Sequence, residues 1–245
     1  MGSASRLRHT GGRAHGPWHF VDPSGATHGC QTRRVTGTAA ALLGVALVLA
    51  ALDWVAVARR ILPLEYLCKP AAALAFLATA IALDPTSSSS RAWCCVALGL
   101  CLVGDVFLML PRDRFLAGLG AFAVAQTCFA VSFALQAPTA ARLVIAVALV
   151  VPGVVILARR FIGALVGAGA RSMVPAILLY VTVISAMVVS AIAGGTAIGM
   201  VGAMLFLTSD SLIAEQRFVA PRSWQPLAII VTYHLALAGL VLGQL

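Results

Sequence analysis

Charge is what this sequence has least of. Asp, Glu, Lys and Arg together make up 10% of its 245 residues, where an ordinary soluble domain carries about a quarter. Apolar residues reach 61% and mean hydropathy is +0.99, so water is the wrong solvent for this chain. Acidic residues number 8 against 17 basic ones. The basic excess is scattered through short connections and forms no stripe or basic motif, which argues against a nucleic-acid partner and for topology and anionic lipid headgroups as its cause. The six cysteines include no CxxC pair and no Cys/His ligand spacing. They read as small buried thiols, and neither a metal nor a cofactor is implied. No serine or thiol nucleophile motif occurs. No small-residue cleavage site cleanly follows the N-terminal region, and roughly 35 residues would make too long an n-region, so a secretory signal is not expected.

What the chain does have is long apolar runs, each close to the roughly 20 residues a helix needs to cross about 30 Å of hydrocarbon. They fall at 38–58, 67–83, 92–110, 114–135, 141–157, 173–192, 197–215 and 226–244, with breaks such as RRILPLE and ARRFIGALVGAGARS between them. Backbone groups in lipid must find their partners inside each run. The expectation is therefore an all-α, polytopic transmembrane bundle of eight spans over 38–245. It is preceded by a polar, basic tail over 1–37 whose lack of apolar periodicity predicts disorder. Spans rich in Gly and Ala suit close, GxxxG-like packing.

Eight spans put both termini on one side. With the connections numbered 1 to 7, the odd ones carry Arg59, Arg60, Arg112, Arg114, Arg159, Arg160, Arg171, Arg217 and Arg222, and the even ones only Arg91 and Arg142. The odd side is expected to be cytoplasmic, in the cell membrane. The tail's Arg33 and Arg34 pull the other way, so a reporter fused after Leu245 decides the matter: a cytoplasmic signal would mean that the tail outweighs the loops.

Asp22, Glu65, Asp84, Asp113 and Glu215 fit a tail, loops or span ends, and Asp53, next to Trp54, fits an interface. Asp105 in LGLCLVGDVFLML and Asp210 in GAMLFLTSDSLIAE stand well inside their spans. A charge there costs a few kcal/mol unless it is paired or faces water. A helix–helix hydrogen bond or an ion pair would account for one such residue; two at matching depth favour a functional site. Spans 3 and 7 run in the same direction, so both aspartates lie toward the odd face. Lys69, Gln126, Tyr180, Tyr233 and His234 lie in even spans that begin on that face, which describes a cavity between midplane and odd leaflet. Each has a plainer reading: a snorkelling lysine, a helix–helix amide, core or interfacial tyrosines, a satisfied core histidine. A faint echo, Arg114-Phe115 after Asp105 and Arg217-Phe218 after Asp210, is consistent with a 4+4 parallel repeat.

Gly104-Asp105 followed by FLML, then Phe115, Gly118 and Gly120-Ala121-Phe122, with Lys69-Pro70 upstream, resembles the YhhN-like lysoplasmalogenase family. So do Tyr180 with Ile184 and Met187, GAMLFLTSDSL ending at Leu212, and the last-span TYHLALAGLVLG. The resemblance covers residues 38 to 245 and implies an eight-helix membrane hydrolase that cleaves the vinyl ether bond of lysoplasmalogens to a fatty aldehyde and a glycerophospho-base. It implies Asp105 and Asp210 as the essential acidic pair, without metal or cofactor. Where members commonly have His and then Tyr in the fourth span, this chain has Gln126 and Phe129. The implied substrate is an amphipathic lysophospholipid, with Lys69 as the foremost candidate for its phosphate, Arg112 or Arg114 behind it, and Tyr180, Gln126, Tyr233 and His234 lining the site. Intramembrane carboxylates also serve proton- or cation-coupled transporters, and a scaffold would use them only to hold helices together.

Overall fold

The structure is a computed structural model that describes residues 36–85 and 87–245. The tail expected over 1–37 lies outside those residues as far as residue 35. From Thr36 onward the chain forms eight helices long and apolar enough to cross a membrane: α1 Gly37–Arg59, α2 Leu62–Ala82, α3 Ser88–Met109, α4 Phe115–Ala134, α5 Ala140–Gly167, α6 Val174–Gly194, α7 Ala197–Phe218 and α8 Gln225–Leu242. This is the multi-pass all-α membrane bundle that the hydropathy predicts.

The helix starts follow local chemistry. All four odd-numbered helices begin on a Ser or Thr N-cap, Thr36, Ser87, Thr139 and Thr196, whose hydroxyl accepts an orphan backbone N–H, as such caps do. Helices α2, α6 and α8 instead carry Pro63, Pro175 and Pro226 in their first turn, where a missing N–H costs nothing and φ is already helical. That explains why α2 starts at Leu62, five residues ahead of the expected 67: the proline in RRILPLE opens a helix where it was read as breaking one. Arg60, in the left-handed region, ends α1 and bonds back to Ala56 and Val57, leaving a very tight turn.

The other correction is α5. It was expected to stop at 157, before ARRFIGALVGAGARS, yet it continues to Gly167. Arg160 is no span end, because it forms a bidentate pair with Glu215 of α7 at 2.9 and 2.6 Å. Phe161 and Leu165 beyond it are buried.

Contacts run α1–α2–α3–α4–α6–α7–α8 and close from α8 onto α1 and α2, so seven helices form a ring; α5 stands outside, packed mainly on α6 and less on α7. The two halves are therefore not packed alike, since α1 touches α8 but α5 has no contact with α4. Two close approaches set the ring's spacing. A Cβ on Gly104 of α3 would lie 2.7 Å from the Phe122 ring of α4, and one on Gly202 of α7 would lie 2.7 Å from the backbone of Gly239 in α8. At the even-side end, Ser90, Ser132 and Gln244 bond one another at 2.7–3.0 Å and tie α3, α4 and α8.

Candidate active site

Asp105 of α3 and Asp210 of α7 come near each other inside the bundle. Asp105 is 1% exposed. Its Oδ1 meets the ammonium of Lys69, the only lysine in the chain, at 3.2 Å, and its Oδ2 accepts the Tyr233 hydroxyl at 2.7 Å. Asp210 accepts the Tyr180 hydroxyl and has no cation partnered to it among the described residues. The two carboxylates lie within electrostatic reach of each other, and the Cys101 thiol is within such reach of both. Each aspartate bonds a residue about two turns into the preceding helix, Lys69 in α2 and Tyr180 in α6.

Gly104 is what lets this pair form. Its bare Cα admits the Phe122 ring, which stands edge-on to Tyr233 with centroids 6.1 Å apart and also lines a cavity of about 60 Å³ together with Tyr180 and Asp210. The Gly-Asp dipeptide is thus one packing unit, in which the glycine seats the ring that seats the tyrosine that holds the aspartate.

The remaining expected residues divide. Gln126 is fully buried and lies beside the Tyr180 hydroxyl. Phe129 packs edge to face on Phe206, 6.4 Å between centroids. His234 is fully buried and accepts the Trp54 indole N–H at Nδ1, 3.1 Å away, so its proton sits on Nε2, which is buried without a partner. Lys69 does not snorkel, because its ammonium is engaged with Asp105 and its side chain is 14% exposed.

The sequence reading missed Asp53. Rather than lying at an interface, it is fully buried in α1, with both oxygens free of hydrogen bonds and within electrostatic reach of Lys69, Glu65 and Asp105. No signal in the sequence marks it, since the contact that turns this face of α1 inward, Trp54 to His234, spans 180 positions. A buried polar group left without partners costs about 1–3 kcal/mol, so a residue that only served the fold would be replaced at a gain. Asp53→Val is expected to raise the thermal melt of the detergent-solubilised protein by a few degrees; a lower melt would mean that the carboxyl is satisfied after all.

At the odd end of the cavity the two Arg-Phe elements meet. Phe115 and Phe218 stack edge to face, 5.7 Å between centroids, and Arg217 lies 4.1 Å over the Phe115 ring while bonding Asp113 at 2.6 Å. Arg217 and the Phe115 N–H hold the Asp113 carboxyl below the usual carboxylate range.

No curated protein and no solved structure matches the chain. The model of the YhhN family matches residues 64–244, which takes in α3 to α8 whole and leaves α1, with Asp53 and Trp54, ahead of it. With both aspartates, Lys69 and both tyrosines inside a match that spans most of the sequence, this chain belongs to the YhhN family.

Proposed function

We propose that the protein is a membrane hydrolase that cleaves the vinyl ether bond of lysoplasmalogens, with Asp210 as the proton donor and Asp105 as the carboxylate that orients water. Family membership supports the class of reaction. The observation that carries the assignment of roles is the difference in partners: Asp105 has an ammonium at 3.2 Å and a tyrosine hydroxyl at 2.7 Å, both of which favour an anion, whereas Asp210 has a tyrosine alone.

A vinyl ether, R–CH=CH–O–R′, hydrolyses by protonation of the carbon remote from oxygen. Asp210 delivers that proton, leaving an oxocarbenium ion that the negative charge of the Asp105 carboxylate stabilises. Water adds to the cationic carbon as Asp105 takes one of its protons, which forms a hemiacetal. Collapse returns the hemiacetal O–H proton to Asp210, and Asp105 gives its proton to the leaving glycerol oxygen. One water is consumed, an aldehyde and an alcohol leave, and both carboxyls return to their starting states. The division of labour is that of the paired carboxylates that hydrolyse glycosides, and Tyr180 and Tyr233 hold the two in place.

Turnover in D₂O tests this scheme. The aldehyde, trapped at once by reduction, should carry one deuterium on the carbon next to the carbonyl, and the rate should fall in D₂O because a proton moves to carbon in the slow step. Aldehyde without that deuterium would rule out protonation at carbon, and with it the role given to Asp210.

A further inference from the structure

A second, larger cavity of about 620 Å³ lies on the flank of the bundle between α5 and α7. Five residues, Val154, Leu157, Phe161, Leu207 and Ser211, line both it and the cavity that holds Asp210, so the two share one wall. Toward the even side it runs on into a further apolar furrow of about 470 Å³ through Leu149, Ile192, Met204 and Thr208, which line both. Along α7 the whole trough reaches from Ala197 to Glu215, about 27 Å at the helical rise. One leaflet of hydrocarbon is about 15 Å deep. Along its length the trough is lined by apolar side chains and by Thr208 and Ser211, whose hydroxyls bond back to their own helix; its charged groups lie at the odd-side end alone, with Arg160 paired to Glu215, and Arg222 and Trp224 beside them.

From these observations we propose that the α5–α7 trough is a binding site for a single-chain phospholipid, which reaches Asp210 sideways from the bilayer with its chain along Leu149 and Met204 and its phosphate at Arg222. This deepens the function proposed above and rests on it for the identity of the substrate. Three features set this trough apart from a surface that bulk lipid merely wets. It adjoins the aspartate cavity, while the odd end of that cavity carries the Phe115–Phe218 stack and the Arg217–Asp113 pair. The basic residues outnumber the acidic one at the end where a phosphate would lie, as anion recognition requires. The register also fits: Asp210 lies five residues before Glu215 on α7, about 7.5 Å deeper, and in a lysoplasmalogen the vinyl ether is the first unit of the chain below the glycerol.

Gly153 provides the test. It faces the trough from α5, and a Cβ there meets nothing within 4 Å, so Gly153→Trp has an open attachment point from which its indole occupies the trough. Gly44→Trp on α1, also open, is the control. The probe is an ester-linked lysophosphatidylcholine with a diazirine at the chain end, which the proposed chemistry does not cleave, photolysed with the purified full-length protein and mapped by mass spectrometry. Adducts should concentrate on Leu149, Ile192 and Met204, fall at least tenfold in Gly153→Trp but not in Gly44→Trp, and be displaced by excess lysophospholipid but not by two-chain phospholipid. Adducts spread evenly over the lipid-facing helices, equal displacement by two-chain lipid, or labelling unchanged by Gly153→Trp would each overturn the proposal. None of these readouts depends on turnover, so an inactive protein that still labels this way would count against the hydrolase reading and not against the trough.

Discussion

Asp210→Asn is expected to lower aldehyde release from lysoplasmenyl-phosphoethanolamine by about two to four orders of magnitude, the usual cost of losing a general acid, in protein that remains folded. Asn keeps the size of the side chain and can still accept from Tyr180, so a merely structural role would survive the change. Asp105→Asn should fall into the same range, but it is the less clean experiment. It leaves the ammonium of Lys69, a side chain 14% exposed, without its carboxylate at 3.2 Å, and breaking a buried pair costs about 3–5 kcal/mol. Its rates must therefore be compared at matched amounts of folded protein, by size-exclusion profile and thermal melt. Because the two carboxyls act on one substrate in sequence, the double variant should be scarcely slower than the worse single one. Near-normal turnover of folded Asp210→Asn would remove that residue from the chemistry.

The largest effect on folding is expected at Gly202. A Cβ there would stand 2.7 Å from the carbonyl carbon of Gly239 and from the nitrogen of Leu240, atoms that can yield only if α7 and α8 separate. Helix association in lipid depends on such small-residue contacts, and overpacking costs about 1–3 kcal/mol even where side chains can shift. Gly202→Val should therefore lose about 3 kcal/mol or more and appear mainly as misassembled protein on size exclusion. Gly44→Val, where a Cβ has open space, should be nearly neutral. If Gly202→Val melted like the wild type, α7 and α8 would not pack through this face. The consequence reaches the site, since α7 carries Asp210 and α8 carries Tyr233.

These two predictions rest on different degrees of legibility in the sequence. The spans could be read because lipid demands a simple pattern, a long apolar run between polar breaks. Asp105 and Asp210 could be read because a charge in the body of such a run is costly. Asp53 is just as buried and was misplaced, because it lies six residues before Arg59 and beside a tryptophan, as an interfacial residue would. What decides is the rotation of α1, and a helix that is apolar on every face has no stripe from which to read its rotation. The hydrogen bond from Tyr233 to Asp105 spans 128 positions of sequence; hydropathy suggested that both belong to one cavity but not that they touch. The length of α5 was misjudged because Arg159-Arg160 looks like a span end until Glu215 is seen opposite Arg160. The Arg-Phe echo was visible as a repeat, but the meeting of Phe115 and Phe218 was not, since it depends on α4 and α7 starting and ending at the same height.

The central claim, that two intramembrane aspartates hydrolyse a vinyl ether, is tested most directly by offering purified protein two lysophospholipids that differ by one double bond, the 1-alkenyl form and the saturated 1-alkyl ether, and measuring released aldehyde and glycerophospho-base together. The account predicts equal amounts of both products from the alkenyl lipid, none from the alkyl ether, and loss of both in Asp210→Asn. Well-folded wild-type protein that releases neither product from the alkenyl lipid would contradict it, and proton-linked uptake into liposomes by the same preparation would then identify the aspartates as the coupling groups of a transporter.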